Sequence, residues 1–95
     1  MSARTSWYVY ILRCADESYY TGCSPDLEAR LHAHNAGRAA KYTRGRLPVA
    51  MVYHEKHPSR SLAAKREYQI KQLTRAQKIA LIEQDVKAVA SLAND

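Results

Sequence analysis

The chain reads as a small α+β domain: a three-stranded, mostly antiparallel sheet flanked by helices, in the order β-β-α-β-α-α. Three observations point there. Two β-branched and aromatic runs, Trp7 to Arg13 and Tyr19 to Cys23, lie close enough to form a hairpin. Helix start signals appear at Ser24-Pro25-Asp26, at Ser59 or Ser61, and at Thr74-Arg75-Ala76-Gln77. Ninety-five residues with 46% apolar content make one globular domain and leave room for no second. The domain is taken as residues 1–95, with its core over about 7–82 and a helical extension over 83–95.

Each element has a local reason. Asp16-Glu17-Ser18 is a polar break between the first two strands, although it lacks the glycine that tight hairpin turns favour. The first helix opens with a hydroxyl cap, a proline at its first position and an acid in its first turn. It runs to about His34, and Asn35-Ala36-Gly37 ends it with a glycine suited to a left-handed cap. A basic loop follows, Arg38 through Arg46, and then a third strand over Val49 to Tyr53. His57-Pro58-Ser59 turns the chain into a second helix that reaches Leu73. Thr74 and Gln77 have the form of a capping box. Ile79, Ile82, Val86 and Val89 then recur at helical spacing.

Composition narrows the function. Seven tyrosines and one tryptophan stand beside no phenylalanine. So many phenols predict that some rings work in a polar cleft rather than in the core. The formal charge of +6 favours a polyanionic partner. Cys14 and Cys23 lack metal-ligand spacing, and free thiols fit a reducing cytoplasm. The N-terminus does not read as a signal peptide, and no segment approaches the roughly 20 apolar residues of a membrane span.

Helical geometry sorts the chemistry-bearing residues. Leu27, Leu31 and His34 share one face of the first helix, Arg30 is one step round, and His32 points away. Glu67 lies at the edge of the inward stripe of the second helix, where an ion pair to Arg30 or Lys71 competes with a metal-ligand role. Strand alternation puts Tyr8 and Tyr10 on one face of the sheet, with Trp7, Val9 and Ile11 on the other. Tyr20 and Gly22 share a face of the second strand, so Tyr10 and Tyr20 are expected to meet across the hairpin.

These residues resemble a GIY-YIG nuclease domain, with small bacterial stand-alone members as the nearest likeness. Tyr8-Val9-Tyr10 stands at the first motif and Tyr20-Thr21-Gly22 at the second. Asp26 to Leu31 with His34-Asn35 resembles the helix bearing the family's arginine, and Ser61 to Leu73 the helix bearing its glutamate. Tyr8 replaces the motif's glycine and Thr21 its isoleucine. The resemblance implies a metal-dependent endonuclease acting on DNA ahead of RNA, structure-selective or weakly selective. In that reading Tyr10 is the general base, as phenolate or through a hydrogen bond, and His34 relays the proton. Tyr20 orients water or phosphate, Arg30 binds the scissile phosphate, and Glu67 holds one Mg²⁺ or Mn²⁺. Gly22 lets backbone approach closely. Arg38, Lys41, Tyr42, Arg44 and Arg46 grip the flanking strand. The alternative is a nucleic-acid-binding module with little or no cleavage of its own.

Overall fold

Both faces of one short sheet are covered, and this two-sided burial organises the molecule. The structure, a computed structural model, describes residues 6–93, with side chains placed over residues 6–84. Strands β1 (Trp7–Arg13), β2 (Tyr19–Ser24) and β3 (Ala50–His57) form an antiparallel sheet in the order β2-β1-β3. Helix α1 (Leu27–Asn35) and a four-residue helix, α2 (Lys41–Arg44), lie between β2 and β3. Helices α3 (Arg60–Lys71) and α4 (Arg75–Ala93) follow. The expected α+β architecture is what forms, with one addition: the basic loop winds into α2.

Alternation along β1 divides the core. Val9 and Ile11 turn toward α3 and α4, where they pack with Ala63 and Ile70 and are flanked by Trp7, Cys23, Leu73, Leu81 and Ile82. Tyr10, Leu12 and Cys14 turn the other way, toward Leu27 and Leu31 of α1. Each large apolar side chain buried here contributes about 1.5–3 kcal/mol. The two thiols therefore sit on opposite faces of the sheet and are free. Val86 and Val89, expected on the apolar stripe of the last helix, lie outside the described side chains.

Local chemistry explains where the elements begin and end. The hairpin turn makes do without glycine because Glu17 takes a left-handed conformation, φ 67°. That costs about 1 kcal/mol relative to glycine. The Asp16 carboxylate offsets it by accepting from the Ser18 amide at 3.0 Å and the Ser18 hydroxyl at 2.6 Å. Helix α1 begins two residues later than its sequence signals suggest. Asp26 is the cap, accepting from the Ala29 amide at 3.1 Å, while Ser24 bridges the turn before it. Gly37 closes the helix at φ 76°, with its amide on His34 O and the Arg38 amide on Ala33 O, a Schellman arrangement. Of the two serines that could start α3, Ser59 does so, accepting from the Leu62 amide. Thr74 and Gln77 cap α4 reciprocally, at 2.9 and 3.1 Å.

Strand β3 runs four residues past its expected end. His54 to His57 continue the pairing along β1 as far as Trp7, beyond a bulge at Val52. Glu55 anchors this extension to α3. Its carboxylate accepts from Arg66 Nε and from His57 Nε2, both at 2.8 Å, and from the Tyr53 hydroxyl. Burial works against the carboxylate's charge, but these three donors together hold its pKa below the usual range. Asn35 joins the other end of the strand to α1: its side-chain amide donates to Val49 O at 3.0 Å and accepts from the Val49 amide at 2.8 Å.

Candidate functional site

The β2 edge of the sheet is where the predicted residues gather. Tyr10 lies directly opposite Gly22 in the β1–β2 ladder, and its ring is laid across that glycine. A Cβ at position 22 would stand 2.6 Å from the Tyr10 hydroxyl oxygen and 2.8 Å from the ring carbon bearing it. The close approach that Gly22 permits within this structure is that of the Tyr10 phenol. Tyr20 flanks the same space, 3.2 Å from that Cβ position.

Helix α1 brings His34 against both phenols. The Tyr10 oxygen is 2.9 Å from His34 Nε2, and the His34 Nδ1 is 2.9 Å from the Thr43 hydroxyl. The direction of each bond follows from one constraint. Thr43 gives its single hydroxyl proton to Ala40 O, at 3.1 Å. It can then only accept from His34, so Nδ1 carries the ring proton and Nε2 accepts from Tyr10. The imidazole is neutral in this arrangement, and its burial, with Arg30 nearby, lowers its pKa. Tyr20 meets the His34 ring edge-on at 5.2 Å and stacks on Tyr42 at 5.9 Å. Sequence reasoning missed Thr43, which is fully buried. A β-branched, hydroxyl-bearing residue inside a run of cations is the signal that marked it.

The cationic field expected to make Tyr10 a phenolate does not prevail. Burial first, and Tyr20 second, push the Tyr10 phenol far above its ordinary value; Arg30 pulls the other way and is outweighed. Tyr10 enters the site through its hydrogen bond to His34, as a neutral donor. Arg30 and Glu67 both act on this phenol, one from α1 and the other from α3 on the opposite face of the sheet. Tyr10, Tyr20 and His34 are in direct contact.

The metal reading does not survive the donor set. Glu67 Oε2 is 2.6 Å from Lys71 Nζ, one helical turn on, so the carboxylate is already neutralised. Among the described residues no three His, Cys, Asp or Glu side chains come together to hold a cation. The residues present do not fit the single Mg²⁺ or Mn²⁺ ion that the resemblance implied. With the ion goes the expectation of a metal-dependent endonuclease and of a hydrolase.

Positive charge remains. Beside Arg30 a hollow of about 330 Å³ is lined by Ser24, Asp26, Ala29 and Ala33. Arg30 is exposed, and its guanidinium makes no hydrogen bond or ion pair among the described residues. In the basic segment, Arg38, Lys41 and Arg44 are likewise exposed and unpaired among the described residues. Arg46 is not. Its guanidinium lies 3.9 Å over the Tyr42 ring, donates to Asp16 Oδ2 at 3.0 Å and donates to Tyr42 O at 2.7 Å. It locks the loop rather than reaching outward.

Comparison with known proteins agrees with this fold and refines the relationship. A family model described as the GIY-YIG catalytic domain matches residues 6–80. A UPF0213 protein of Staphylococcus haemolyticus is 52% identical over 77 residues, covering 81% of this chain and 94% of the relative. One from the archaeon Halobacterium salinarum is 54% identical over 74 residues, covering 78% and 96%, so the likeness is not confined to bacteria. The solution NMR structure of a UPF0213 protein from Bacillus halodurans superposes with a TM-score of 0.55 at 43% identity, covering 83% of this chain and 84% of that one. A second NMR structure, of a protein from E. faecalis, gives 0.56 at 43%, covering 95% and 92%. The names of these relatives state no nuclease activity, in keeping with the donor set described above. With the family model matching residues 6–80 and UPF0213 relatives more than half identical, the chain belongs to the GIY-YIG domain family, on the branch of the UPF0213 proteins.

Proposed function

We propose that this chain is a nucleic-acid-binding module with little or no cleavage activity of its own, and that it takes a phosphate of the strand at the β2 edge. One observation carries the reading: an Arg30 guanidinium that is exposed and unpaired among the described residues, beside an open hollow and next to a neutral phenol–imidazole pair and an acid already matched by Lys71. Such a site attracts an anion through Arg30, while the Asp26 carboxylate in its lining is turned to capping α1 by accepting from the Ala29 amide. Tyr10 and His34 serve by holding the floor in shape, and Tyr20 by joining that floor to Tyr42. Arg38, Lys41 and Arg44 continue the positive surface along the strand, in contacts that read the backbone and not the bases.

The test is a binding titration with single-stranded and duplex DNA and RNA. Wild type binds, and Arg30→Ala weakens binding about tenfold, the loss of one charge-assisted phosphate contact. EDTA leaves the affinity unchanged, because no cation is part of the interface. Unaltered binding by Arg30→Ala, or binding that disappears on chelation, would overturn the proposal.

A further inference from the structure

The aromatic side chains of this molecule are nearly all engaged. Tyr8 meets His54 edge-on, Tyr10 and Tyr20 flank His34, and Tyr42 lies between Tyr20 and Arg46. Arg60 covers Trp7, Arg75 covers Tyr19, and Tyr53 donates to Glu55. Tyr68 is different. It is 68% exposed, and among the described residues no ring or cation stacks on it.

Its place on α3 gives that exposure a direction. Ala63 and Ile70 are the buried side of the helix. Turning away from them one meets Glu67, then Lys71, then Tyr68. Cys23 of β2 packs against the cluster formed by Ala63 and Ile70, so this side of α3 lies over β2. The neighbours of Tyr68 one turn either way are Ala64, Lys65, Lys71 and Gln72. Leu62, also exposed on α3, is six residues back and not among them. The ring is thus a single aromatic surface with Lys65 on one side and Lys71, paired with Glu67, on the other, and not part of an apolar patch of the kind that docks another protein. A flat π surface with a cation beside it suits an unpaired base whose own phosphate lies against Lys65.

We infer that Tyr68 is a stacking platform for one base of a single-stranded nucleic acid whose backbone crosses the β2 edge at Arg30. The inference rests on the nucleic-acid reading above and adds what that reading lacks, a contact to a base. It makes single strands better ligands than duplexes, because a paired and stacked base cannot be offered to the ring.

The experiment measures fluorescence anisotropy of a labelled twelve-nucleotide dT strand, and of the same strand with abasic sites throughout its centre. Wild type, Tyr68→Ala, Tyr68→Phe and Tyr68→Trp are compared, with circular dichroism to show that each is folded. Tyr68→Ala weakens binding of the dT strand about tenfold, the usual loss for one stacked base. Tyr68→Phe and Tyr68→Trp retain it, and the salt slope is the same for all four, since no phosphate contact changes. On the abasic strand wild type and Tyr68→Ala bind alike. Salt-dependent binding by wild type with no loss in Tyr68→Ala would overturn the stacking role and leave the phosphate site standing. A wild-type protein that binds neither strand would overturn both.

Discussion

At position 21 strand β2 buries a hydroxyl that finds no partner. Thr21 is 3% exposed, and its Oγ1 is unsatisfied among the described residues. A buried, unmatched hydroxyl costs about 1–3 kcal/mol. Valine keeps the branched shape that the strand prefers and removes the oxygen. Thr21→Val is therefore expected to raise stability by about 1 kcal/mol or more, read as a higher midpoint in chemical denaturation at unchanged slope. The meeting of Tyr10 and Tyr20 with His34 was legible at this scale, because strand alternation and the inward face of the first helix put all three on one side of the sheet. Charge states were not. Whether Tyr10 is a phenolate depends on burial, and whether Glu67 is free depends on a lysine one turn away. Neither can be settled by residue type alone.

Helix α1 and the short α2 are tied to the sheet through one imidazole. The proton order from Tyr10 through His34 and Thr43 to Ala40 requires that imidazole to be neutral. Burial, and next the charge of Arg30, hold its pKa below the ordinary value of about 6.5. Below that ordinary value the unfolded chain binds a proton that the folded chain refuses, so stability falls with falling pH. The fall begins near pH 6.5 and ends once the lower, folded pKa is passed. Thermal melts between pH 7.5 and 5 should show a declining midpoint in wild type and a flatter profile in His34→Gln. Glu55 and Asp16 also have lowered pKa values, but they titrate below this window. At the element scale the strands and caps followed from local signals: the β-branched runs, Gly37, the box at Thr74. Two features did not. The α1 start shifted because Asp26 reaches the Ala29 amide while Ser24 is spent on the turn. The far half of β3 is held by Glu55 and its donors, a tie between a strand and a helix that no local window contains.

Over the whole molecule the excess of six positive charges is unevenly available. Arg38, Lys41 and Arg44 are exposed, whereas Arg46 is consumed by Asp16 and Tyr42. Replacing any one of the first three by alanine should lower the slope of log K against log salt by about 0.7–0.9. Arg46→Ala should leave that slope alone and lower the melting midpoint instead. Charge and size were visible in composition. The division of the cations into reaching and locking groups was not, because it turns on an acid thirty residues upstream. The described helices include none long and apolar enough to cross a membrane. The resemblance led to the right family and a wrong expectation of catalysis. Motif order records shared architecture, while a cation site needs a carboxylate left unspent, and Glu67 is paired with Lys71.

The phenol of Tyr10 resting on Gly22 makes two positions, far apart in the sequence, draw on one parcel of space. Whatever is added at the second must be given up by the first. A methyl group at 22 would call for a shorter side chain at 10, and that exchange would leave His34 without its donor. Substitutions at these sites are thus bound to travel together, with the imidazole as the third member that registers any mismatch.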